Sequence, residues 1–106
     1  MVYSLFSNPQ IEEKARKEVN KYISSEKDWT WENLKMMNYL DSIQKEAVRM
    51  YGPSNWLFPR EATKDVFLNQ IPISKGTQLS LNFFSNHFNP KYFSDPHTFR
   101  PERWQE

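Results

Sequence analysis

Apolar side chains recur at helical spacing between residues 38 and 53. Four of them, separated by three or four positions, form one stripe along a helix: Leu40, Ile43, Ala47 and Met50. Asn38 is a suitable N-cap, and Gly52-Pro53 is a typical stop signal after the last turn. The pattern therefore predicts a helix from Tyr39 to about Tyr51.

Two charged residues of this helix lie near its apolar stripe. At roughly 100° per residue, Glu46 lies about 70° from the middle of the stripe and Arg49 about 130° away. Glu46 therefore borders the predicted buried face, and Arg49 follows one turn later, within reach of its carboxylate. From this helix alone, the pair is most simply an exposed i,i+3 ion pair, which contributes about 0.2–0.5 kcal/mol.

An earlier amphipathic helix is predicted from Pro9 onwards, with Asn8 as its cap. Its apolar stripe consists of Ile11, Ala15, Val19 and either Tyr22 or Ile23. Its charged face contains two i,i+4 pairs, Glu12–Arg16 and Glu13–Lys17. The short apolar segment from Met1 to Phe6 is expected to be the end of a longer element.

A polar loop is predicted between the two helices, followed by a short helical turn. Thr30 is the candidate cap of this turn, which runs through Trp31 and Leu34. Trp29 and Trp31 are expected to be packing residues, because tryptophan side chains bury large apolar areas.

The second half of the chain has extended rather than helical patterning. Short strands are predicted at residues 56–60, 66–68, 71–73 and 79–83, the last from the alternation of Leu79, Leu81 and Phe83. Asn69-Gln70 and Lys75-Gly76-Thr77 are the predicted turns. Residues 86–101 are predicted to be irregular, with one helical turn at about residues 90–93. A loop of this length usually needs another surface to lie on.

Composition excludes several classes of function. The chain has 106 residues, a net charge of +1 and no cysteine. Mixed charges without a basic face predict no nucleic-acid partner. A chain without cysteine has no disulfide, zinc–thiolate site or cysteine nucleophile. His87 and His97 are ten residues apart without a third ligand, so we expect structural or exposed histidines and no metal site.

Four motifs stand in order along nearly the whole chain. They are Asn8-Pro9 at the start of a charged helix, Glu46-Ala47-Val48-Arg49, the strand pair that ends in Ile73-Ser74-Lys75-Gly76-Thr77, and His87-Phe88-Asn89-Pro90 followed by Phe99-Arg100-Pro101-Glu102-Arg103-Trp104. Together they resemble the C-terminal half of a cytochrome P-450, a haem-thiolate monooxygenase. The resemblance implies a mainly α fold with a small β-sheet, α+β within this piece. Residues 1–106 would form a single partial domain with the J and K helices, hairpin strands and a long meander-type loop.

The resemblance also implies roles for individual residues. Glu46, Arg49 and Arg103 would form the family's buried triad, which fastens the fold and performs no chemistry; no residue of this chain is predicted to be catalytic. Arg60 matches the arginine that meets a haem propionate in many members, although a surface arginine beside Glu61 is the alternative. The turn that lines the family's substrate pocket matches Trp56, Leu57 and Phe58. These three side chains are therefore candidates for contact with substrate, although packing in the core would explain their apolar character equally well.

The chain departs from the family pattern in several places. Ser74 stands where proline is usual, and Phe88 where arginine is frequent. The oxygen-activating helix would precede Met1, and the loop with the axial cysteine would follow Glu106. Because the axial thiolate favours O–O cleavage, the 106 residues are expected to be a fragment that is inactive by itself.

Three hypotheses for function follow. The first is a fragment of a haem-dependent monooxygenase that inserts one oxygen atom of O2 into an apolar substrate, with electrons from a reductase. The second is a relic of that fold, kept as a structural or interaction subunit whose exposed apolar surface is covered by partner chains. The third is an unrelated small α+β binding module, which the ordered motifs disfavour. The residues themselves do not determine a location; the resemblance implies association with the endoplasmic reticulum membrane or a mitochondrial location, and no anchor is expected within this chain.

Overall fold

The first half of the chain is helical. The computed structural model describes residues 1–52 and 56–105, and for residues 56–58 it describes the backbone alone. Helices α1 to α4 span Val2–Phe6, Pro9–Tyr22, Trp31–Lys35 and Asn38–Tyr51, with a 3₁₀ turn at Glu26–Asp28. Among the described helices, none has the length and apolar character needed to cross a bilayer.

The second half contains four short strands in two antiparallel pairs. Strands β1 to β4 span Trp56–Glu61, Val66–Leu68, Ile71–Ile73 and Gln78–Asn82. Strand β1 pairs with β4, and β2 pairs with β3. Helix α5 at Phe83–His87 and a 3₁₀ turn at Pro101–Trp104 follow. The mainly α architecture with small sheets was thus predicted correctly.

Helices α2 and α4 meet in a small core. Its buried members are Ala15, Tyr39 and Ile43, and its partly buried members are Leu5, Ile11 and Phe99. Ile11, Ala15 and Ile43 are stripe positions predicted from periodicity, whereas Tyr39 was not predicted to be in the core, and Leu5 and Phe99 come from other segments. The core therefore packs the two amphipathic helices through their apolar faces and covers one side of the pair with residues from both ends of the chain.

The predicted bounds of α4 were nearly correct, but its predicted cap was wrong. Asn38 is the first helical residue, and Met37 occupies the N-cap position without a side-chain hydrogen bond. At the other end, a Cβ on Gly52 would lie 2.6 Å from the carbonyl oxygen of Val48, so a larger residue would clash there. Asn8 does hold the N-cap position of α2, yet its amide donates to the carbonyl oxygen of Ser4 instead of accepting from the helix.

The turn predictions have mixed outcomes. Thr30 caps α3 as predicted, because its hydroxyl accepts a hydrogen bond of 3.2 Å from the backbone N–H of Asn33. The β2–β3 hairpin is confirmed, and its turn residues Asn69 and Gln70 have φ values of 45° and 70°. The last strand was predicted to include Phe83, but Phe83 begins α5. Asn82 ends the strand early because its side-chain oxygen accepts from the N–H of Ser85 and caps the helix.

The prediction that Trp29 and Trp31 are packing residues was wrong for this chain. Their exposed fractions are 57% and 66%. Apolar exposure is not confined to these two residues, because Phe6 and Phe67 are 84% and 77% exposed. The chain is also elongated, with extents of 59 × 31 × 24 Å and a radius of gyration of 19.3 Å. A compact domain of this length has a radius of gyration of about 13 Å.

Candidate functional site

A buried carboxylate lies at the centre of the contacts between helix α4 and residues 88–104, which we call the C-terminal segment. Glu46 has no exposed surface, and Arg49, one turn later, is 3% exposed. The guanidinium of Arg49 donates through Nε to Oε2 and through Nη2 to Oε1 of Glu46, both at 2.9 Å. The pair is therefore bidentate and buried, not the exposed ion pair that the helix alone suggested.

Residues of the C-terminal segment donate further hydrogen bonds to the carboxylate. Arg103 donates through Nε to Oε1 of Glu46 at 3.1 Å, and the backbone N–H of Arg100 donates to the same oxygen at 3.0 Å. The indole N–H of Trp104 donates to Oε2 at 3.0 Å. Helix α4 is thus connected to a segment more than fifty residues away through one side chain.

Arg49 makes further contacts on the side away from Glu46. Its Nη1 donates to the backbone carbonyls of His87, at 2.7 Å, and Pro96, at 2.8 Å. Phe88 and Phe93 lie near the guanidinium, with ring centroids 5.6 and 5.1 Å from its central carbon. The arginine therefore holds the start and the middle of the irregular segment against the helix, and the aromatic rings help to exclude water from it.

Arg103 links two parts of the same segment. Its Nη1 donates to the carbonyl oxygen of Ser94 at 2.8 Å, and its Nη2 lies 3.3 Å from the carbonyl oxygens of both Asp95 and Thr98. Because backbone carbonyls in irregular segments have no ladder partner, a guanidinium with five N–H groups is well suited to satisfy several of them.

Opposing effects determine the pKa of Glu46. Burial raises it, while hydrogen bonds from Arg49, the backbone of Arg100 and the indole of Trp104, together with the charge of Arg49, lower it. The net result is a pKa below the ordinary glutamate value. The carboxylate is therefore ionised at neutral pH and has no proton to donate.

A second polar cluster lies beside the first and links three elements. The hydroxyl of Tyr39 on α4 donates to Oε1 of Glu102 at 3.0 Å, and Lys14 on α2 contacts the same oxygen at 2.7 Å. Burial, followed by the bond to Glu102, raises the pKa of Tyr39. Burial raises the pKa of Glu102 too, but hydrogen bonds led by that from Lys14 lower it overall.

The two histidines have the surroundings of structural or surface residues. His87 Nδ1 lies 3.1 Å from the carbonyl oxygen of Arg49, and the exposed His97 has its ring centroid 5.0 Å from that of Phe88. Within residues 1–52 and 56–105, no group of three or more histidine, aspartate or glutamate side chains is arranged to hold a metal ion.

Comparison with known proteins identifies the family. The family model for cytochrome P-450 matches residues 1–106. The chain belongs to the cytochrome P-450 family. It is 38% identical over 104 residues to cytochrome P-450 4V2 of Rattus norvegicus, and 36% identical over 100 residues to cytochrome P-450 82A1 of Pisum sativum. These matches cover 97% and 94% of this chain but 20% and 18% of the relatives, so the chain spans about a fifth of their length.

A solved structure contains the same fold. A zebra fish cytochrome P-450, whose structure was determined with progesterone, superposes with a TM-score of 0.88 at 27% identity. The match covers 96% of this chain and 24% of that one. The described helices and strands therefore form a part of the cytochrome P-450 fold and not a rearranged version of it.

The residues predicted to face the cofactor and the substrate lie on strand β1 of this cytochrome P-450 segment. Arg60 is exposed and stands opposite Leu79 of β4. Trp56, Leu57 and Phe58 form the first half of the strand, but their side chains lie outside the described part of the chain. Of these four residues, only Arg60 has a described side chain, and it is not among the described residues that contact Glu46.

The residues present fit a part of a haem site. An exposed guanidinium such as that of Arg60 can donate to the carboxylate of a propionate. A thiolate axial ligand cannot come from these 106 residues, because the sequence contains no cysteine.

Sequence reasoning missed two contributors to the cluster around Glu46. The backbone N–H of Arg100 leaves no trace in sequence, because every residue except proline has one. Trp104 did carry a signal, since an indole N–H is a donor that commonly finds an acceptor in a motif of charged residues. The sequence does not specify Glu46 as the acceptor, because the two residues are 58 positions apart.

Proposed function

We propose that this chain is the part of a haem-dependent monooxygenase that holds the C-terminal segment under the haem, with Glu46, Arg49 and Arg103 as the structural triad. The observation that carries the proposal is the buried Glu46 carboxylate, which accepts hydrogen bonds from two arginine side chains, one indole and one backbone amide. The match of the family model to residues 1–106 supports it.

The proposed role of the triad is mechanical. A buried carboxylate loses its hydration and is stable only when paired and fully hydrogen-bonded. Each donor to Glu46 from the C-terminal segment is therefore held in one geometry relative to α4. Two planar guanidinium groups add directional bonds, which keep the irregular segment at residues 88–104 in a single conformation although it has little secondary structure.

Arg60 is proposed to bind a haem propionate. The strand holds its backbone against β4, and its side chain is exposed, which leaves the guanidinium free to turn toward a carboxylate on a neighbouring group. Bound haem would supply the oxygen-atom transfer chemistry, and Arg60 would orient it.

The role of Arg60 is tested in the haem-loaded full-length protein. Arg60→Ala should increase the haem dissociation rate, and Arg60→Lys should restore part of the retention because it keeps the charge. Lys64→Ala, which removes a nearby exposed charge, is the matched control. Equal dissociation rates for Arg60→Ala and the wild-type protein would contradict the role.

The proposed partners are the remainder of a cytochrome P-450 domain and a reductase. The elongated shape and the exposure of Phe6 and Phe67 support the first of these, because isolated soluble proteins rarely leave so much apolar surface uncovered. A reductase is proposed because the family's reaction needs electrons.

A relic subunit without catalysis is the second candidate. It is supported by the same exposed apolar surface, which partner chains would then cover. In this case the Glu46 cluster keeps its structural role and no haem is bound.

Sequencing the transcript beyond the codon for Glu106 separates the two candidates. The monooxygenase proposal expects an open reading frame with a Phe-x-x-Gly pattern that leads to a cysteine. The protein made from that frame should then show a thiolate-type Soret band when it is reduced under carbon monoxide. A stop codon directly after Glu106, with a natural product of this length, would overturn the monooxygenase proposal and favour the relic.

The 106 residues produced by themselves provide a further control. Mixed with haem and reduced under carbon monoxide, they should give no thiolate-type band, because no residue can supply the thiolate. Such a band, or turnover with a reductase, would show that the inactive-fragment hypothesis is wrong.

A further inference from the structure

One side of the β2–β3 hairpin is an exposed aliphatic surface. Cross-strand partners of an antiparallel pair share a face, and the register gives this aliphatic face four members: Val66, Ile73, Leu68 and Ile71. Leu68 and Ile71 are 57% and 60% exposed. A sheet face that meets water is usually polar, so an all-aliphatic face points to a partner other than water.

The opposite face of the hairpin has a different composition. It consists of the cross-strand partners Phe67 and Pro72, and Phe67 is 77% exposed. Aromatic side chains are enriched at protein interfaces, whereas leucine and valine are under-represented among the residues that dominate binding energy there. The Phe67 side is therefore the one suited to the remainder of the domain, which leaves the aliphatic face for a partner of another kind.

Charged residues stand at the base of the hairpin and not along it. The exposed Lys64 precedes β2 and the exposed Lys75 follows β3, while the sequence from Val66 to Ile73 contains no charge. The backbone N–H of Lys75 donates to Oδ1 of Asp65 at 2.7 Å, which joins the two ends of the base. Two lysines and one aspartate leave the base positive. Lysine is depleted at protein interfaces, but its ammonium is attracted to anionic lipid headgroups.

We propose that the aliphatic face of the β2–β3 hairpin lies on a lipid bilayer, with its turn and both base lysines at the level of the headgroups. An element that lies in the membrane interface buries its apolar side by about 5–10 Å. Strands of three residues are about 10 Å long, so the hairpin fits within the interface without crossing the bilayer. The polar turn at Asn69 and Gln70 then stays beside the headgroups, at the opposite end from the lysines.

Photo-crosslinking of the full-length protein on vesicles of phosphatidylcholine and phosphatidylserine tests this contact. A benzoylphenylalanine placed at position 68 should form adducts with lipid, which mass spectrometry of the hairpin peptide identifies. The same group at position 81 is the matched control, because Leu81 also lies on a strand and is 65% exposed. Position 68 should give at least tenfold more lipid adduct than position 81. Equal lipid adducts at the two positions, or adducts of position 68 with protein alone, would overturn the inference.

Charge reversal provides the second measurement. Vesicles without phosphatidylserine should give several-fold less lipid adduct at position 68, and the combined variant Lys64→Glu and Lys75→Glu should lose this dependence on phosphatidylserine. Lys27→Glu, in the exposed 3₁₀ turn at Glu26–Asp28, is the matched control and should keep it. The same dependence in both variants would contradict the headgroup contact of the lysines. Adducts with protein alone, in a protein with a normal haem spectrum, would reject the lipid contact while leaving the proposed function intact.

Discussion

The carboxylate of Glu18 on helix α2 accepts a hydrogen bond of 2.9 Å from the backbone N–H of Tyr39 in the first turn of helix α4. Its other oxygen accepts a bond of 2.8 Å from the N–H of Leu40. The first N–H groups of a helix have no partner within the helix and are usually bonded by the N-cap side chain. In α4 a side chain 21 residues earlier takes this role, and it also places a negative charge at the positive end of the helix dipole.

Glu18→Gln should therefore destabilise the protein. One oxygen remains to accept a bond, but the charge and the second acceptor are lost, at a cost of about 1 kcal/mol in the free energy of unfolding. Urea denaturation followed by circular dichroism provides the measurement. Glu13→Gln on the same helix is the control, because the Glu13 carboxylate pairs with Lys17 in solvent. This variant should lower the free energy of unfolding by less than Glu18→Gln does. Equal losses for the two variants would contradict the capping role.

Arg49→Ala should prevent stable folding. The variant leaves the buried Glu46 carboxylate short of two hydrogen bonds and of its nearest positive charge, which costs about 3–5 kcal/mol. The yield of soluble protein and its urea midpoint are the measurements. Lys45→Ala, which breaks the exposed pair with Asp41 one turn earlier, is the matched control and should cost less than about 0.5 kcal/mol. Normal yield and midpoint for Arg49→Ala would show that the triad does not stabilise the fold.

Glu102→Gln should weaken the dependence of stability on pH in the acid range. The pKa of Glu102 is lower in the folded protein than in the unfolded chain, where it is about 4.3. Its contribution to stability is therefore complete above that pH and disappears as the pH falls through the folded pKa.

Unfolding free energies measured between pH 6 and pH 2 test this expectation. The Glu102→Gln variant should show a smaller decrease than the wild-type protein. Glu32→Gln, at an exposed acid of helix α3, should follow the wild-type curve. Parallel curves for the wild-type protein and Glu102→Gln would rule out a contribution from the cluster of Glu102, Lys14 and Tyr39.

Gln70→Gly should stabilise the β2–β3 hairpin. Asn69 and Gln70 both have positive φ, the conformation of a type I′ turn, in which Asn-Gly is the preferred pair. Glutamine has a steric penalty in this region that glycine lacks, so the gain should be about 0.5–1 kcal/mol. The thermal midpoint of unfolding is the measurement. Gln78→Gly is the comparison variant, in strand β4, where extended backbone is needed. It should lower the thermal midpoint instead of raising it.

Sequence patterns predicted the elements that depend on nearby residues. The stripes of α2 and α4 follow from helical periodicity, the cap of α3 from Thr30, and the hairpin from alternation around Asn69-Gln70. In each case the deciding contacts join residues within a few positions of one another, and such contacts recur whenever the local pattern does. The ordered motifs likewise supported the family resemblance that the comparisons then confirmed.

Tertiary structure decided the burial of Arg49, the cap of α4 and the contact of Trp104. Periodicity placed Arg49 well away from the apolar stripe, yet the segment from His87 to Trp104 covers that flank of the helix and buries the guanidinium. Asn38 had the right chemistry for a cap, but it is the first helical residue, and the Glu18 carboxylate accepts the hydrogen bonds that a cap would accept. These outcomes depend on partners 21 to 58 residues apart in the chain, and no local pattern specifies which distant backbone or side chain arrives there.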